Sequence, residues 1–203
     1  MKRVKLTLPL LSLFIAALAL VAGAAPSIVS TLELSRADFY PWMLFSAHLT
    51  HWSHSHLWWD TMTFLLLGSM YELGLFAVSG TLAQRRRELL LELSIAAPII
   101  AFSVLIFAPA VQHYRGLSGL CVSVFTMLLL DLNTKGRADG DMVLRVFAFV
   151  GLGALFAKIL FEALSGEALF AASAAANYTV VYVAHVAGAL SPCATKLWGR
   201  GGR

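Results

Sequence analysis

This sequence predicts an all-α membrane protein, a bundle of six transmembrane helices, and three observations carry that expectation. Of its 203 residues, 59% are hydrophobic and only 13% are charged, whereas soluble domains run at about 45–50% apolar and about a quarter charged. The apolar residues gather into runs close to the roughly 20 residues that a helix needs to cross a bilayer core. The basic residues cluster at alternate boundaries between those runs, which is how charge fixes topology in a membrane. The chain reads as one membrane domain over residues 1–203, with both termini cytoplasmic and no room for a separate soluble domain.

The first run, 8–25, follows Lys2, Arg3 and Lys5. Its Ala-Gly-Ala-Ala end resembles a signal-peptide cleavage site, but the topology needs a retained helix. The second run spans 54–78, the third 89–111, the fourth 117–132, the fifth 142–164 and the sixth 174–197. Between them stand charge and breakers: Gln84-Arg85-Arg86-Arg87-Glu88, then Pro109, then the polar stretch 131–141, then Ser165-Gly166-Glu167. The fourth run is short, which suits a helix starting below the membrane surface inside a protein-lined cavity. With a cytoplasmic N-terminus, twelve of the 15 Lys and Arg residues face the cytoplasm, leaving Arg36, Arg115 and Lys158 toward the outer side.

The net charge of +4 is spread over these short clusters, so it signals orientation among membrane lipids and no nucleic-acid partner. Cys121 and Cys193 lie in apolar stretches without metal spacing and read as packing residues. Lys158 and Glu162, four apart near the outer end of the fifth helix, are expected to form a structural ion pair on one face.

Polar side chains inside a membrane are functional-site hypotheses by default. Three groups qualify: His48, His51, His54, His56 and Asp60 around the start of the second helix; Gly116-Leu117-Ser118-Gly119 opening the fourth; and His185 in the sixth. These three helices run in the same direction, so Ser118, His185, His56 and Asp60 are expected at one depth, in one layer. Peptide cleavage needs a nucleophile, a base for its proton and donors for the oxyanion. Ser118 stands at a helix start, where backbone N–H groups and the dipole favour negative charge. Gly116 and Gly119 let a substrate backbone approach. His185 is suited to act as base, and Gly188, on its face, permits close helix packing.

The stretch His51-Trp52-Ser53-His54-Ser55-His56-Leu57-Trp58-Trp59-Asp60 resembles the second-helix pattern of the rhomboid intramembrane proteases, where two histidines precede an asparagine. Gly116-Leu117-Ser118-Gly119 is similar to their nucleophile motif, and Ala184-His185-Val186-Ala187-Gly188 to the Ala-His-x-x-Gly of their last helix. Glu72 sits where rhomboids often carry a buried glutamate. The resemblance covers 48–189. It implies a six-helix fold and a serine protease with a Ser118–His185 dyad lacking a third acidic member. It further implies an oxyanion hole from the Ser118 N–H and the His56 side chain, a structural role for His51, and no cofactor or metal.

Asp60 replaces the family's asparagine. An ionised carboxylate repels an oxyanion, so Asp60 either orients His56 one turn away or is protonated in a dry site. Together with Arg115-Gly116-Leu117-Ser118-Gly119 and an outer loop whose segment 33–42 holds Arg36 but not the Trp-Arg signature of many rhomboids, this departure resembles the rhombosortase branch. That branch implies a bacterial inner-membrane enzyme opening to the periplasm. Its substrates would be exported proteins with a C-terminal tail of Gly-Gly, a transmembrane helix and a basic end. The apolar, aromatic loop 25–53 is expected to sit at the interface. Two other readings stand beside it. One is a metal- or haem-binding membrane protein using His51, His54, His56, Asp60 and His185, although His54 and His56, two apart, diverge on a helix. The other is a catalytically inactive rhomboid-like protein that binds membrane clients.

Overall fold

The structure, a computed structural model, describes residues 7–167 and 181–200, with side chains through Cys193. It is mostly helical. The helices are α1 (Leu10–Gly23), the short α2 (Val29–Leu32) and α3 (Met43–Ser46), then α4 (His54–Glu72), α5 (Leu82–Phe107), α6 (Ser118–Ala138), α7 (Met142–Ser165) and α8 (Tyr182–Arg200). Two-residue strands β1 (Leu34–Ser35) and β2 (His113–Tyr114) pair antiparallel, Leu34 opposite Tyr114.

Local chemistry sets most of the boundaries. Ser53 caps α4 by accepting the His56 N–H (3.1 Å). Asp141 caps α7 by accepting the N–H groups of Val143 and Leu144. Gly166, at φ +71°, stops α7, a left-handed C-cap that glycine adopts without strain. Three expected boundaries need correction. The third apolar run is not a helix beginning at 89: α5 starts at Leu82, because Thr81 and Gln84 form a reciprocal capping box ahead of the arginines. The fourth helix does not stop at 132 but runs to Ala138: Gly136 is carried inside it, packed close against Arg145 and Asp141, Lys135 and Arg137 suit its C-terminal end, and Gly140 (φ +68°) makes the turn beyond. The second ends at Glu72 rather than at 78, turning at Gly74 (φ +70°). Of the expected sixth run, 174–180 lie outside the described residues.

Side-chain contacts give the relative directions. Arg86 joins the start of α5 to Glu72 at the end of α4 (2.7 Å) and to the Leu8 carbonyl before α1 (2.7 Å). Arg85 reaches Asp131, near the end of α6 (2.6 Å). At the opposite end, Arg36 donates to the carbonyls of Val104 and Ala108 at the end of α5 and of Val111 just beyond it. Thus α1 and α5 run one way and α4 and α6 the other.

The core centres on α6, which buries residues on all sides, including Leu120, Val124, Met127 and Leu128, against Phe64, Leu89, Ile100 and Val104. α1 turns a stripe of small residues, Ser12, Ala16, Ala19 and Ala22, inward. α7 is peripheral. It buries only Ala148, Leu155 and Glu162, one residue every seven, and exposes Phe147, Phe149, Phe156 and Phe161.

Among the described residues, α5 and α7 are each long and apolar enough to cross a membrane. A third candidate is α1 with the segment 26–32, which together form a pair bent by 91°. By itself α1 has 14 residues, about 21 Å of helix against a hydrocarbon core of about 30 Å. The other long helices carry the polar side chains of the site, which lowers their hydropathy.

Candidate active site

Ser118 is the first residue of α6, half-buried at its N-terminus. The segment before it is fixed from four directions. β2 pairs with β1. The Gly116 N–H donates to the Ala47 carbonyl (3.2 Å). The buried His48 ring spans two carbonyls, Nδ1 to Gly116 (3.3 Å) and Nε2 to Ala97 (3.1 Å). The Leu117 N–H donates to Asp60 Oδ2 (2.9 Å). Gly116 has φ +130°, and a Cβ there would stand 3.1 Å from the His56 ring. Both facts call for glycine.

His185, on the second turn of α8 and buried, brings Nε2 to 3.0 Å from Ser118 Oγ. That is hydrogen-bond distance for a base and its nucleophile. The approach depends on the glycine pair Gly119 and Gly188. A Cβ on Gly188 would lie 2.1 Å from the Gly119 carbonyl oxygen, and one on Gly119 would lie 3.2 Å from the Ala184 carbonyl. The two backbones are therefore in direct contact beside the Ser–His pair.

The other face of the imidazole meets α7. His185 Nδ1 is 2.7 Å from Glu162 Oε2, and Lys158 Nζ is 2.7 Å from Glu162 Oε1 and 3.3 Å from His185 Nδ1. The expected Lys158–Glu162 pair is present, but it is no isolated surface pair: Glu162 is 2% exposed and reaches the histidine. An acidic side chain thus stands where the family resemblance implied none. The i,i+4 spacing foretold the pair; nothing local foretold which neighbour it would face.

Asp60 collects donors. Its Oδ2 lies 3.2 Å from His51 Nε2 and 3.2 Å from His56 Nε2, besides taking the Leu117 N–H. Of the two roles left open for Asp60, orienting His56 is the one this placement fits, and an acceptor so placed does not stand among oxyanion donors. A carboxylate that accepts one backbone N–H and stands 3.2 Å from two imidazole nitrogens is an anchor for the segment leading into Ser118. His51 and His56 pack edge to face, centroids 5.1 Å apart. His54 points outward and lies apart from this cluster. The first-turn N–H groups of α6, beginning with that of Ser118, have no partner within the helix, while His56, expected beside them as a second oxyanion donor, sets its Nε2 3.2 Å from Asp60.

Two more carboxylates tie the bundle together away from the site. Glu72 accepts from the Leu11 and Ser12 N–H groups, from Ser12 Oγ and from Arg86, so it caps α1 from another helix. Glu92 accepts from Ser123 (2.7 Å) and Ser191 (2.7 Å), joining α5, α6 and α8. Cys121 is buried and Cys193 exposed, and both are free thiols. Among the described residues no group of three His, Cys, Asp or Glu side chains is placed to hold a metal ion.

The chain matches no protein-family model and no curated protein.

Proposed function

We propose that this chain is an intramembrane serine endopeptidase of the rhomboid type. The observation that carries the reading is the 3.0 Å contact between Ser118 Oγ and His185 Nε2 at a helix N-terminus, inside an apolar helical bundle. In this reading α1 with the bent segment after it, and α4 to α8, make six spans. Both termini lie in the cytoplasm and Ser118 opens toward the periplasm of a bacterial inner membrane. The arginine-rich start of α5, gathered with the ends of α4 and α6, supports that orientation.

Ser118 Oγ attacks the scissile carbonyl while His185 Nε2 takes its proton. The oxyanion forms against the first N–H groups of α6, where the helix dipole favours it. His185 then protonates the leaving amine, and water resolves the acyl-enzyme by the reverse sequence. A substrate helix must give up its own hydrogen bonds to be cut. Glycines near the scissile bond lower that cost, which suits the rhombosortase-type substrate, an exported protein with a Gly-Gly-containing transmembrane tail.

Detergent-solubilised protein treated with a fluorophosphonate should be labelled, and Ser118→Ala and His185→Ala should not. Wild-type protein that is folded yet unlabelled would sink the reading and leave the client-binding and metal-binding alternatives. Membranes carrying Ser118→Ala should leave a Gly-Gly tail substrate intact; continued cleavage would remove the substrate assignment alone.

A further inference from the structure

We propose that Glu162 is a positioning residue for His185, fixing the imidazole in the tautomer that can accept the Ser118 proton, and that Lys158 is the counter-charge this arrangement requires. The proposal rests on the serine-protease reading and deepens it.

Two groups compete for His185 Nδ1, and they demand opposite tautomers. Glu162 Oε2, at 2.7 Å, is an acceptor when ionised, so Nδ1 must carry the proton. Nε2 is then bare and accepts from Ser118 Oγ at 3.0 Å. Lys158 Nζ, at 3.3 Å, is only a donor. If it bonded Nδ1, the ring proton would sit on Nε2 and face the serine, and the base would be lost. Distance decides for Glu162. So does charge, because a bare Nδ1 would set its lone pair against a carboxylate oxygen 2.7 Å away. Lys158 is meanwhile drawn off by Glu162 Oε1 at 2.7 Å. The ammonium keeps the buried carboxylate ionised without occupying the ring. When Ser118 attacks, the imidazolium forms against Glu162 and is stabilised there.

This makes a prediction that a merely structural ion pair does not. Glu162→Gln removes the acceptor charge and frees Lys158 to donate to Nδ1, so the residual cation becomes inhibitory. Removing that cation should then restore function. Inactivation by a fluorophosphonate separates kinact from KI. For Glu162→Gln we expect kinact to fall about a hundredfold or more with KI little changed. The double variant Glu162→Gln/Lys158→Met should react about tenfold faster than Glu162→Gln alone, a coupling of ordinary size for groups in contact. Glu162→Asp should recover part of the rate. Heteronuclear NMR of isotope-labelled histidine, assigned by comparison with His185→Ala, tests the wild-type chain without relying on any Glu162 variant. Protonated Nδ1 and bare Nε2 are expected. A double variant no faster than the single one, or the opposite tautomer in wild type, overturns the proposal. Labelling of wild type at Ser118 that ignores Glu162→Gln overturns it while sparing the protease reading. Absence of wild-type labelling sinks both.

Discussion

Replacing Gly188 by alanine adds one methyl group to the chain and should disable the site. A Cβ at 188 would lie 2.1 Å from the Gly119 carbonyl oxygen, roughly 1.2 Å inside an ordinary C···O contact of about 3.3 Å. The neighbour is backbone, in the first turn of α6, so no side chain can swing away. The helices must separate by about 1 Å, and overpacking of this kind costs about 1–3 kcal/mol. His185 lies three residues before Gly188 on the same helix, and Ser118 immediately precedes Gly119. The same separation therefore stretches the 3.0 Å Ser118–His185 contact to about 4 Å, beyond hydrogen-bond range. A misplacement of that size costs on the order of a hundredfold in rate. The assay pairs fluorophosphonate labelling kinetics with thermal unfolding in detergent. Gly153→Ala is the control: nothing lies within 4 Å of a Cβ at that position of α7, so labelling should be unchanged. If Gly188→Ala labels at the wild-type rate, the claim that backbone contact between α6 and α8 sets the Ser–His distance is wrong.

Asp60→Asn keeps an oxygen to accept the Leu117 N–H, whereas Asp60→Ala leaves that donor and two histidines unanchored. Labelling should fall further in the alanine variant, by about tenfold or more relative to Asn; the reverse order would remove Asp60 as an anchor. Glu72→Ala leaves Arg86 and the first N–H groups of α1 without their acceptor, and stranding buried donors of this kind costs about 1–3 kcal/mol. A large drop in the unfolding temperature is expected, with labelling retained at low temperature. His48, in the segment between α1 and α4, is buried, and loss of hydration lowers its pKa below the ordinary 6.5 despite the opposing carbonyls of Ala97 and Gly116. The unfolded chain therefore binds more protons just below pH 6.5. Stability supplied by neutral His48 is complete above that pH and is lost as pH falls toward the lower folded value. Unfolding temperatures of wild type should decline over that window more steeply than those of His48→Gln; parallel curves would exclude the linkage.

The order of the apolar runs and the places where polar residues interrupt them are local properties, and these were legible. The start of α4, the whole of α7, the opening of α6 and the approach of Ser118 to His185 could all be argued from apolar spacing and shared helix direction. Helix ends were less legible, because a basic cluster such as Arg85-Arg86-Arg87 reads as a loop until Thr81 and Gln84 are seen to cap it. The roles of the carboxylates were legible only in part. Glu162 and Lys158 showed their spacing but not their partner. Glu72 gave no sign that it would cap α1 sixty residues away. Asp60 left two roles open until its Oδ2 was found between the Leu117 N–H and two imidazoles. The sequence by itself determined where the polar residues interrupt the apolar runs, since hydropathy and helical period act along one chain. Only the tertiary structure decided which acid faces which base, because that depends on the rotation of each helix against its neighbours. That rotation is set by packing, down to one pair of glycines between α6 and α8.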